Sequence, residues 1–499
     1  MFERLKALFT HTTVYGVGDV ATSLLSLLLL PVFTRYLTPA DYGVIALLVT
    51  VEAGMKVLFR WGVDKAFIRL YYDCADVRAR QKLASSIFLF LVAANGALLA
   101  VGLLAAPHIA EALLGTAAYT GILRLVIANT FVIGFFFIPL SLLRIEGRSA
   151  RYAKVTFSRA FLTILCRLLL VALLDMGVLG FVLADIVVTA VYTVLLGRLC
   201  APLIRPVFSR AALREALRFG LPMLPNTCAH QVIALNDRYI LSRYATVGDI
   251  GVYAIGATLG VAVKYFLRAF QTAWAPFVYE TMDESDARAT YRTVTTYAFL
   301  VLVLLAAGLA ATADDLIRLM TVADFHAAAR VVPWIAAGAV LQGVYQLTSV
   351  GLSIKKRTRY YPLATGLTLV ASVGANLVLI PRFGFMGAAY ANTFAYGILA
   401  SAGMTFSQWH YPIRYEWSRL LKVAAAGLAS CWLASTAPVG EPGAVTSLLG
   451  RGVLVVVCYP VALLAQGFFR RTEIARLVET ARVIGRRPSR LRRNTRNAP

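Results

Sequence analysis

Residues 87–106 read IFLFLVAANGALLAVGLLAA and are broken only by Asn95, and residues 297–313 read YAFLVLVLLAAGLAATA and are broken only by Thr312. A membrane-spanning helix needs about 20 consecutive apolar residues, whereas a strand of a membrane barrel shows about ten residues of alternating hydrophobicity. Both stretches have the length and the uniform character of helices. They predict an all-α polytopic membrane protein and exclude a membrane β-barrel.

The composition of the whole chain supports the same class. Of the 499 residues, 59% are hydrophobic and only 15% are charged, and the mean hydropathy is +0.72. A water-soluble globular protein of this size has a lower hydrophobic fraction and a higher charged fraction. The composition therefore excludes an enzyme with large soluble domains.

The residue types that commonly hold metals or carry covalent catalysis show no suitable arrangement in the sequence. The six cysteines have no CxxC spacing and fall in apolar stretches or basic loops, so they predict neither a disulfide framework nor a zinc site. The sequence contains no nucleophile–base constellation and no glycine-rich phosphate loop. We expect no catalytic residue, no metal site and no cofactor.

Fourteen apolar segments are long enough to span a membrane, and we number them as spans 1 to 14. They lie near residues 12–33, 43–60, 84–106, 120–142, 155–174, 177–197, 219–242, 251–270, 294–313, 331–353, 362–381, 385–405, 421–436 and 447–467. The predicted organisation is an N-terminal lobe (1–205, spans 1–6), a C-terminal lobe (206–410, spans 7–12), two further helices (411–467) and a basic tail (468–499).

The charge distribution predicts the topology. The 49 lysines and arginines outnumber the 25 acidic residues and give a formal net charge of +24, which suits nucleic acid, anionic lipid or an anionic substrate. The basic residues concentrate in alternate loops, as the positive-inside rule requires of cytoplasmic loops. With an even number of spans, both termini are predicted to be cytoplasmic, and span 1 is interpreted as a retained helix and not a signal peptide.

Ten arginines lie between residues 470 and 496, after the last span. We predict that this tail lies on anionic lipid, where each basic residue contributes about 1 kcal/mol near the surface. This interpretation is favoured over binding to nucleic acid, which is not an expected partner.

An internal repeat relates the two lobes. An offset of 208 residues places TRYLTPADYGV (34–44) over SRYATVGDIGV (242–252) with six identities, and the same offset places Lys56 over Lys264 and Arg60 over Arg268. The offset corresponds to six spans, which preserves orientation, so the lobes are parallel repeats about an axis along the membrane normal. A central cavity between two such lobes is typical of transporters.

Part of the repeat is structural, because Thr38 to Asp41 and Thr246 to Asp249 resemble capping boxes that start helices.

Charged side chains within spans are costly, about 2.5 to 3.5 kcal/mol near the bilayer centre, and therefore indicate function. In span 2, Glu52, Lys56 and Arg60 follow at intervals of four and share one face, and the order of Glu52 and Lys56 permits an ion pair. Lys264 and Arg268 are the equivalent cations of span 8. Arg60 and Arg268 are equally well explained as residues that flank the membrane.

Further polar candidates for the cavity or for ion coupling lie on other spans. Asn226, His230 and Asp237 fall on one strip of span 7, whose Pro222 and Pro225 predict a bend near its cytoplasmic end. Asp237 could instead pair with Arg238 at the outer end, and His230 could be a packing residue. Span 1 carries Asp19, span 4 carries Arg124, and span 5 carries Arg159 and Arg167. Cations exceed anions in this set, which suits an anionic ligand.

Several segments resemble the bacterial polysaccharide-exporter flippases, the O-antigen and exopolysaccharide members of the multidrug/oligosaccharidyl-lipid/polysaccharide exporter superfamily. The segments are LLPVFTRYLTPADYGVIALL (29–48), LPMLP (221–225), NDRYILSRYATVGDIGVYAIG (236–256) and GFMGAAYAN (384–392). The resemblance covers residues 10–410. It implies a MATE-like fold that moves undecaprenyl-diphosphate-linked oligosaccharide from the cytoplasmic to the periplasmic leaflet of the bacterial inner membrane, coupled to H⁺ or Na⁺.

The related lipid II flippases imply where the diphosphate is held, namely at cationic cavity residues on helices 1, 2 and 8. Here span 1 offers Asp19 and no inner cation, so Lys56 or Arg60 and Lys264 or Arg268 carry over, which disfavours lipid II as the substrate. The implied partners are the lipid-linked glycan, the membrane lipids and the polysaccharide polymerase machinery.

Two other classes stay open. A MATE-type drug or metabolite antiporter shares the fold but usually has an acidic cavity for cationic ligands. A membrane-embedded polysaccharide polymerase or ligase normally has a large outer loop with catalytic residues, whereas the longest outer loop predicted here, 314–330, is short.

Overall fold

The computed structural model describes residues 27, 29–74, 76–441 and 444–470, and this part of the chain is helical and contains no strand. Its twenty α-helices are numbered α1 to α20 in chain order. They are Leu30–Tyr36, Pro39–Leu58, Val63–Asp73, Val77–Leu114, Thr120–Ile133, Phe137–Ile145, Ser149–Arg167, Gly177–Cys200, Arg210–Gly220, Leu224–Tyr244, Val247–Gly260, Val263–Thr281, Ala287–Ala311, Ala313–Met320, Val332–Thr348, Val350–Ile354, Tyr360–Phe383, Phe385–His410, Trp417–Thr436 and Val445–Ala465. The predicted all-α class is confirmed.

Length and hydropathy do not confirm all fourteen predicted spans in the part of the chain that the structure describes. Within the described ranges, nine helical segments are long and apolar enough to cross a membrane, or ten if the bent pair α11 and α12 is one span. Predicted spans 2 to 14 each coincide with at least one helix, but α10, α18 and α19 fall outside the nine. Most of span 1, with Asp19, and the tail beyond residue 470 lie outside the described residues. The count of fourteen spans and the division into lobes stay predictions.

Two capping boxes start the repeated helices α2 and α11. The Thr38 backbone N–H donates to the Asp41 carboxylate at 2.9 Å, and the Asp41 N–H donates to the Thr38 hydroxyl at 3.2 Å. Thr246 and Asp249 make the same exchange, both at 3.1 Å. These bonds satisfy N–H groups that the first turn leaves unpaired. The helices therefore begin four residues before the predicted spans, at Pro39 and Val247.

Helix α2 ends earlier than span 2, and its end is fixed by a buried amide side chain from α4. Asn95 on α4 donates to the Phe59 carbonyl at 2.8 Å and accepts from the Trp61 indole N–H at 2.9 Å. Trp61 has φ +49° and Gly62 has φ +69°, so both residues adopt the left-handed backbone conformation, which interrupts the helix. The i, i+4, i+8 stack predicted for Glu52, Lys56 and Arg60 is therefore corrected: Arg60 lies beyond the last helical turn, in the turn that Asn95 holds.

Predicted span 8 is not one straight helix. Helix α11 ends at Gly260 and α12 begins at Val263, with a bend of 44° between them. Lys264 consequently lies in the first turn of α12, while Lys56 lies in the last turn of α2. The two repeated lysines thus occupy helix ends at breaks, where water and loop dipoles reach a charge more easily than at the middle of a span.

The predicted bend in span 7 is a helix boundary. Helix α9 ends at Gly220, a short 3₁₀ turn covers Leu221–Met223, and α10 begins at Leu224 with Pro225 in its first turn. Proline is tolerated there because the first turn has no partner for its N–H. The prolines therefore mark the start of the membrane helix and do not bend its interior.

Helices α2 and α11 cross at two glycines that the repeat places at equivalent positions. A Cβ atom added to Gly43 would lie 1.8 Å from the Val247 carbonyl oxygen, and one added to Gly251 would lie 2.0 Å from the Pro39 carbonyl oxygen. Only glycine permits two backbones to approach this closely. The crossing joins the two halves of the chain at the predicted periplasmic ends of these helices.

Two buried carboxylates attach the last two helices to α13 and α14. Asp315 accepts hydrogen bonds from Ser447 at 3.0 Å and Arg451 at 3.1 Å on α20. At the other end, Glu416 binds Thr296 of α13 at 3.1 Å and Arg419 of α19 at 3.0 Å. A buried carboxylate is costly unless it is paired, so these contacts fix α19 and α20 against the rest of the bundle.

Candidate functional site

Lys56 is the centre of the site. Its ammonium forms the ion pair with Glu52 that the spacing in α2 permits, and the two side chains are 35% and 21% exposed. Lys56 also lines two cavities, one together with residues of α7 and α8 and the other together with residues of α3 and α10. A cation with access to both is in a position to exchange a carboxylate of the protein for an anionic group of a ligand.

The first cavity, which we call the N-terminal chamber, has a volume of about 350 Å³. Besides Lys56 and Glu52, its charged lining consists of Arg159, Arg167 and Asp185. Arg167 holds Asp185 through two hydrogen bonds of 3.0 and 2.8 Å and stacks 3.6 Å from the centre of the Phe181 ring. Three cations against two carboxylates leave the chamber with an excess of positive charge.

Arg159 supplies that excess. Its guanidinium lies 5.0 Å from the centre of the Phe136 ring, and it forms no salt bridge in the described part of the chain, where Glu52 pairs with Lys56 and Asp185 with Arg167. The side chain is half-buried and lines the chamber wall. Arg159 therefore lies in the same chamber as Lys56 and Arg167.

The second cavity, which we call the α2–α10 cleft, has a volume of about 250 Å³ and lies between the end of α2 and the start of α10. Its charged lining consists of Lys56, Arg60, Asp64 and Lys65. Arg60 lies 3.8 Å from Asp64 and is 44% exposed. Again cations outnumber carboxylates, and the cleft places Arg60 beside Lys56 even though it lies outside helix α2.

Lys264 has a different environment from its counterpart. Its ammonium donates to the Tyr396 hydroxyl at 3.2 Å and lies 4.6 Å from the centre of the Tyr396 ring. Across the described residues no carboxylate pairs with Lys264, since the position equivalent to Glu52 is Gly260. The ring stabilises the cation without neutralising it. Arg268, one turn further, is exposed.

The three polar residues predicted to form one strip on α10, Asn226, His230 and Asp237, lie in different environments. Thr227 and Gln231 line the α2–α10 cleft, one position beyond Asn226 and His230. His230 is exposed, while Asn226 is half-buried and its side-chain oxygen has no hydrogen-bond donor in the described residues.

Asp237 lies deeper than the other members of that strip. It is 7% exposed and accepts hydrogen bonds from the Tyr253 hydroxyl at 2.5 Å and the Arg238 N–H at 2.7 Å. Its carboxylate therefore faces α11 and not the cleft. The neighbouring Asn236 binds Ser372 at 3.0 Å and Asn376 at 2.7 Å on α17.

Two remaining candidates lie apart from these cavities. Arg124 is exposed and donates from Nε to the Leu103 carbonyl at 3.2 Å, which joins α5 to α4. It lines neither the chamber nor the cleft. Asp19 lies outside the described residues.

Sequence reasoning missed the partners that the fold supplies. Arg167 and Asp185 lie in consecutive spans with opposite charges, and that signal could have suggested their pairing. Nothing in the sequence indicated that Tyr396 contacts Lys264. A tyrosine in an apolar helix is common, and Tyr396 lies 132 residues from Lys264 in the chain.

Comparisons with known proteins bear on the family and the fold. A family model described as polysaccharide biosynthesis protein matches residues 32–330. Protein 1 of the Lsg locus of Haemophilus influenzae is 23% identical over 286 residues, which make up 55% of this chain and 67% of that protein.

Solved structures match over most of the chain. The lipid II flippase MurJ in an inward closed conformation aligns with a TM-score of 0.71 and 14% identity, over 90% of this chain and 98% of that one. An inward-facing multidrug-resistance transporter of the MATE family aligns with a TM-score of 0.66 and 16% identity, over 81% of this chain and 96% of that one. At such identities the likeness shows the fold, so the predicted MATE-like fold is confirmed. Both structures are of a flippase or a transporter and not of an enzyme.

Proposed function

The chain belongs to the polysaccharide biosynthesis protein family, and from this premise we propose that it is a flippase for undecaprenyl-diphosphate-linked oligosaccharide. The cargo is an O-antigen or exopolysaccharide repeat unit, which moves from the cytoplasmic to the periplasmic leaflet of a bacterial inner membrane. The observation that carries the proposal is the excess of cations in the two cavities that share Lys56, within a fold similar to that of a lipid II flippase.

The electrostatics favour a diphosphate over a cation as the ligand. The cleft contributes Lys56, Arg60 and Lys65 against Asp64. Within the described ranges, the Lys264 ammonium contacts the hydroxyl and ring of Tyr396 and forms no salt bridge. A unit charge 4 Å from an ammonium gains about 4 kcal/mol at an effective dielectric constant of 20. That gain is comparable to the cost of keeping one cation in the membrane, about 2.5 to 3.5 kcal/mol. A cationic drug, the ligand of the alternative MATE-type antiporter, would be repelled.

The pairing of Lys56 with Glu52 suggests how binding is linked to ion movement. When a diphosphate replaces Glu52 as the partner of Lys56, the carboxylate loses its counter-charge and becomes available to H⁺ or Na⁺. Arg159 and Arg167 lie in the same chamber and set how strongly Glu52 holds such an ion. Asp237, Asn226 and His230 are secondary candidates, because they lie on the helix that forms the other wall of the cleft.

A reconstituted flipping assay tests the function. The full-length protein in liposomes should expose an undecaprenyl-diphosphate-linked oligosaccharide to an impermeant saccharide-modifying reagent, and should move the corresponding monophosphate at least tenfold more slowly, since half of the anionic group is missing. Liposomes without protein provide the background rate. Uptake of a cationic dye without any movement of the lipid-linked saccharide would contradict the proposal and support the antiporter.

The topology that accompanies this function is a separate prediction. In a cysteine-free variant of the protein, Ala118→Cys should react with an impermeant maleimide added to spheroplasts, and Arg78→Cys should react only after permeabilisation. Both positions are exposed. The opposite labelling pattern would show that the termini are periplasmic.

A further inference from the structure

A third cavity, larger than the chamber and the cleft, is separate from both of them. It has a volume of about 870 Å³ and lies between the ends of α6, α7 and α8 and the loop that follows α8. It shares no lining residue with the two cavities around Lys56. We call it the α6–α8 pocket. The proposed transport function does not use it.

The wall of the pocket combines an apolar face with a cationic end. Val191, Val194 and Leu195 on α8 line it and are 48%, 58% and 49% exposed. Arg198 follows on the same face, because positions separated by three, four and seven residues lie together on a helix. A molecule along this face would meet hydrocarbon first and a guanidinium at the end of the helix.

Three arginines surround that end of the pocket. Arg148 pairs with Glu146 at 3.1 Å, whereas Arg151 and Arg198 have no carboxylate partner among the described residues, and both are exposed. All four charged residues line the pocket. Two cations are therefore left to attract an anion.

The loop that forms the floor of the pocket is held in place by α4. The Pro202 carbonyl accepts from the Gln81 side chain at 3.0 Å. The backbone N–H groups of Arg205 and Ser209 donate to the hydroxyls of Ser85 at 2.8 Å and Ser86 at 2.7 Å. These bonds fix the position of the loop whose Pro202 and Leu203 line the pocket.

We propose that the α6–α8 pocket binds one anionic phospholipid of the leaflet next to these basic loops. Arg151 and Arg198, with Arg148, hold the headgroup phosphate, and an acyl chain lies along Val191, Val194 and Leu195. Charge complementarity and the apolar wall both require this occupant, because a free phosphate would use the arginines but leave the exposed valines without a partner. Basic pockets between membrane helices are suited to anionic headgroups.

Native mass spectrometry of the full-length protein tests the proposal, with phosphatidylglycerol and phosphatidylcholine of identical acyl chains as probes. We expect one phosphatidylglycerol to be retained at least tenfold more strongly than phosphatidylcholine. The double variant Arg151→Gln with Arg198→Gln should lose that preference. The matched control Arg214→Gln with Arg218→Gln, two exposed arginines of α9 outside the pocket, should retain it.

A second variant separates the lipid from other anions. Val194→Trp fills the apolar wall without changing a charge, and it should fold because Val194 is 58% exposed. It should weaken retention of phosphatidylglycerol several-fold. The proposal would be overturned if Val194→Trp retained phosphatidylglycerol as strongly as the wild type does. It would also be overturned if the wild type bound inorganic phosphate as strongly as phosphatidylglycerol, because the site would then take a free anion. A third result would also overturn the proposal: displacement of phosphatidylglycerol by undecaprenyl diphosphate at a tenfold lower concentration. The pocket would then bind the transport substrate.

Discussion

Lys264→Ala should lower flipping of the lipid-linked oligosaccharide at least tenfold while the protein still reaches the membrane. Its ammonium is the cation for which the described residues provide a tyrosine and no carboxylate, so its loss removes attraction for an anionic headgroup without leaving an unpaired acid. Tenfold corresponds to about 1.4 kcal/mol, well below the gain of about 4 kcal/mol calculated for one close charge pair. Lys264→Arg should retain part of the activity because it keeps the charge.

The equivalent change at Lys56 should behave differently because of Glu52. Lys56→Ala should abolish flipping, a larger loss than that expected of Lys264→Ala, because it also leaves a half-buried carboxylate without its counter-charge, and this carboxylate repels the diphosphate. The double variant Glu52→Ala with Lys56→Ala should therefore transport better than Lys56→Ala alone if the lysine serves mainly to pair with Glu52. If Lys56 contacts the diphosphate directly, both variants should be inactive.

These variants are compared by the reconstituted flipping assay at matched amounts of membrane protein. Arg124→Ala is the control, since Arg124 is a cation of the N-terminal half that lines neither cavity, and it should keep wild-type activity. Full activity of both Lys56→Ala and Lys264→Ala would contradict a role for these lysines in substrate binding.

Gly43→Ala and Gly251→Ala should each prevent the close crossing of α2 and α11 and reduce flipping at least tenfold. The added Cβ atoms would lie 1.8 and 2.0 Å from backbone oxygens, and neither oxygen belongs to a flexible side chain. Overpacking of this kind costs typically 1 to 3 kcal/mol. Alanine is about 1 kcal/mol better than glycine inside a helix, so any loss of stability must come from the contact between helices.

The chain offers a matched control in the same helix. Gly54 lies in α2, and among the described residues no atom beyond its own stretch of helix lies within 4 Å of its added Cβ. Gly54→Ala should therefore leave transport unchanged and raise the melting temperature slightly. Thermal unfolding in detergent and the flipping assay should both separate Gly43→Ala from Gly54→Ala. Equal melting temperatures and equal transport for these two variants would show that the crossing of α2 and α11 contributes neither to stability nor to transport.

The local features of the chain could be predicted from the sequence because they depend on neighbours within one helix. Apolar length determines that a segment can span a membrane. The spacing of Thr38 and Asp41 determines the capping box, and an interval of four residues brings Glu52 and Lys56 into contact. The all-helical class, the starts of α2 and α11 and the first ion pair of the site follow from these short-range rules.

Contacts between helices depend on packing, which no periodicity in a single segment records. Asn95, one polar residue in an apolar stretch, ends α2 and removes Arg60 from it. The fold likewise places Arg159 and Asp185 in one chamber with Lys56 and gives Lys264 a tyrosine in place of a carboxylate. The sequence thus determined which residues carry charge into the membrane. The tertiary structure alone decided which of those charges are neutralised, because a partner 18 or 132 residues away is brought near only when the helices assemble.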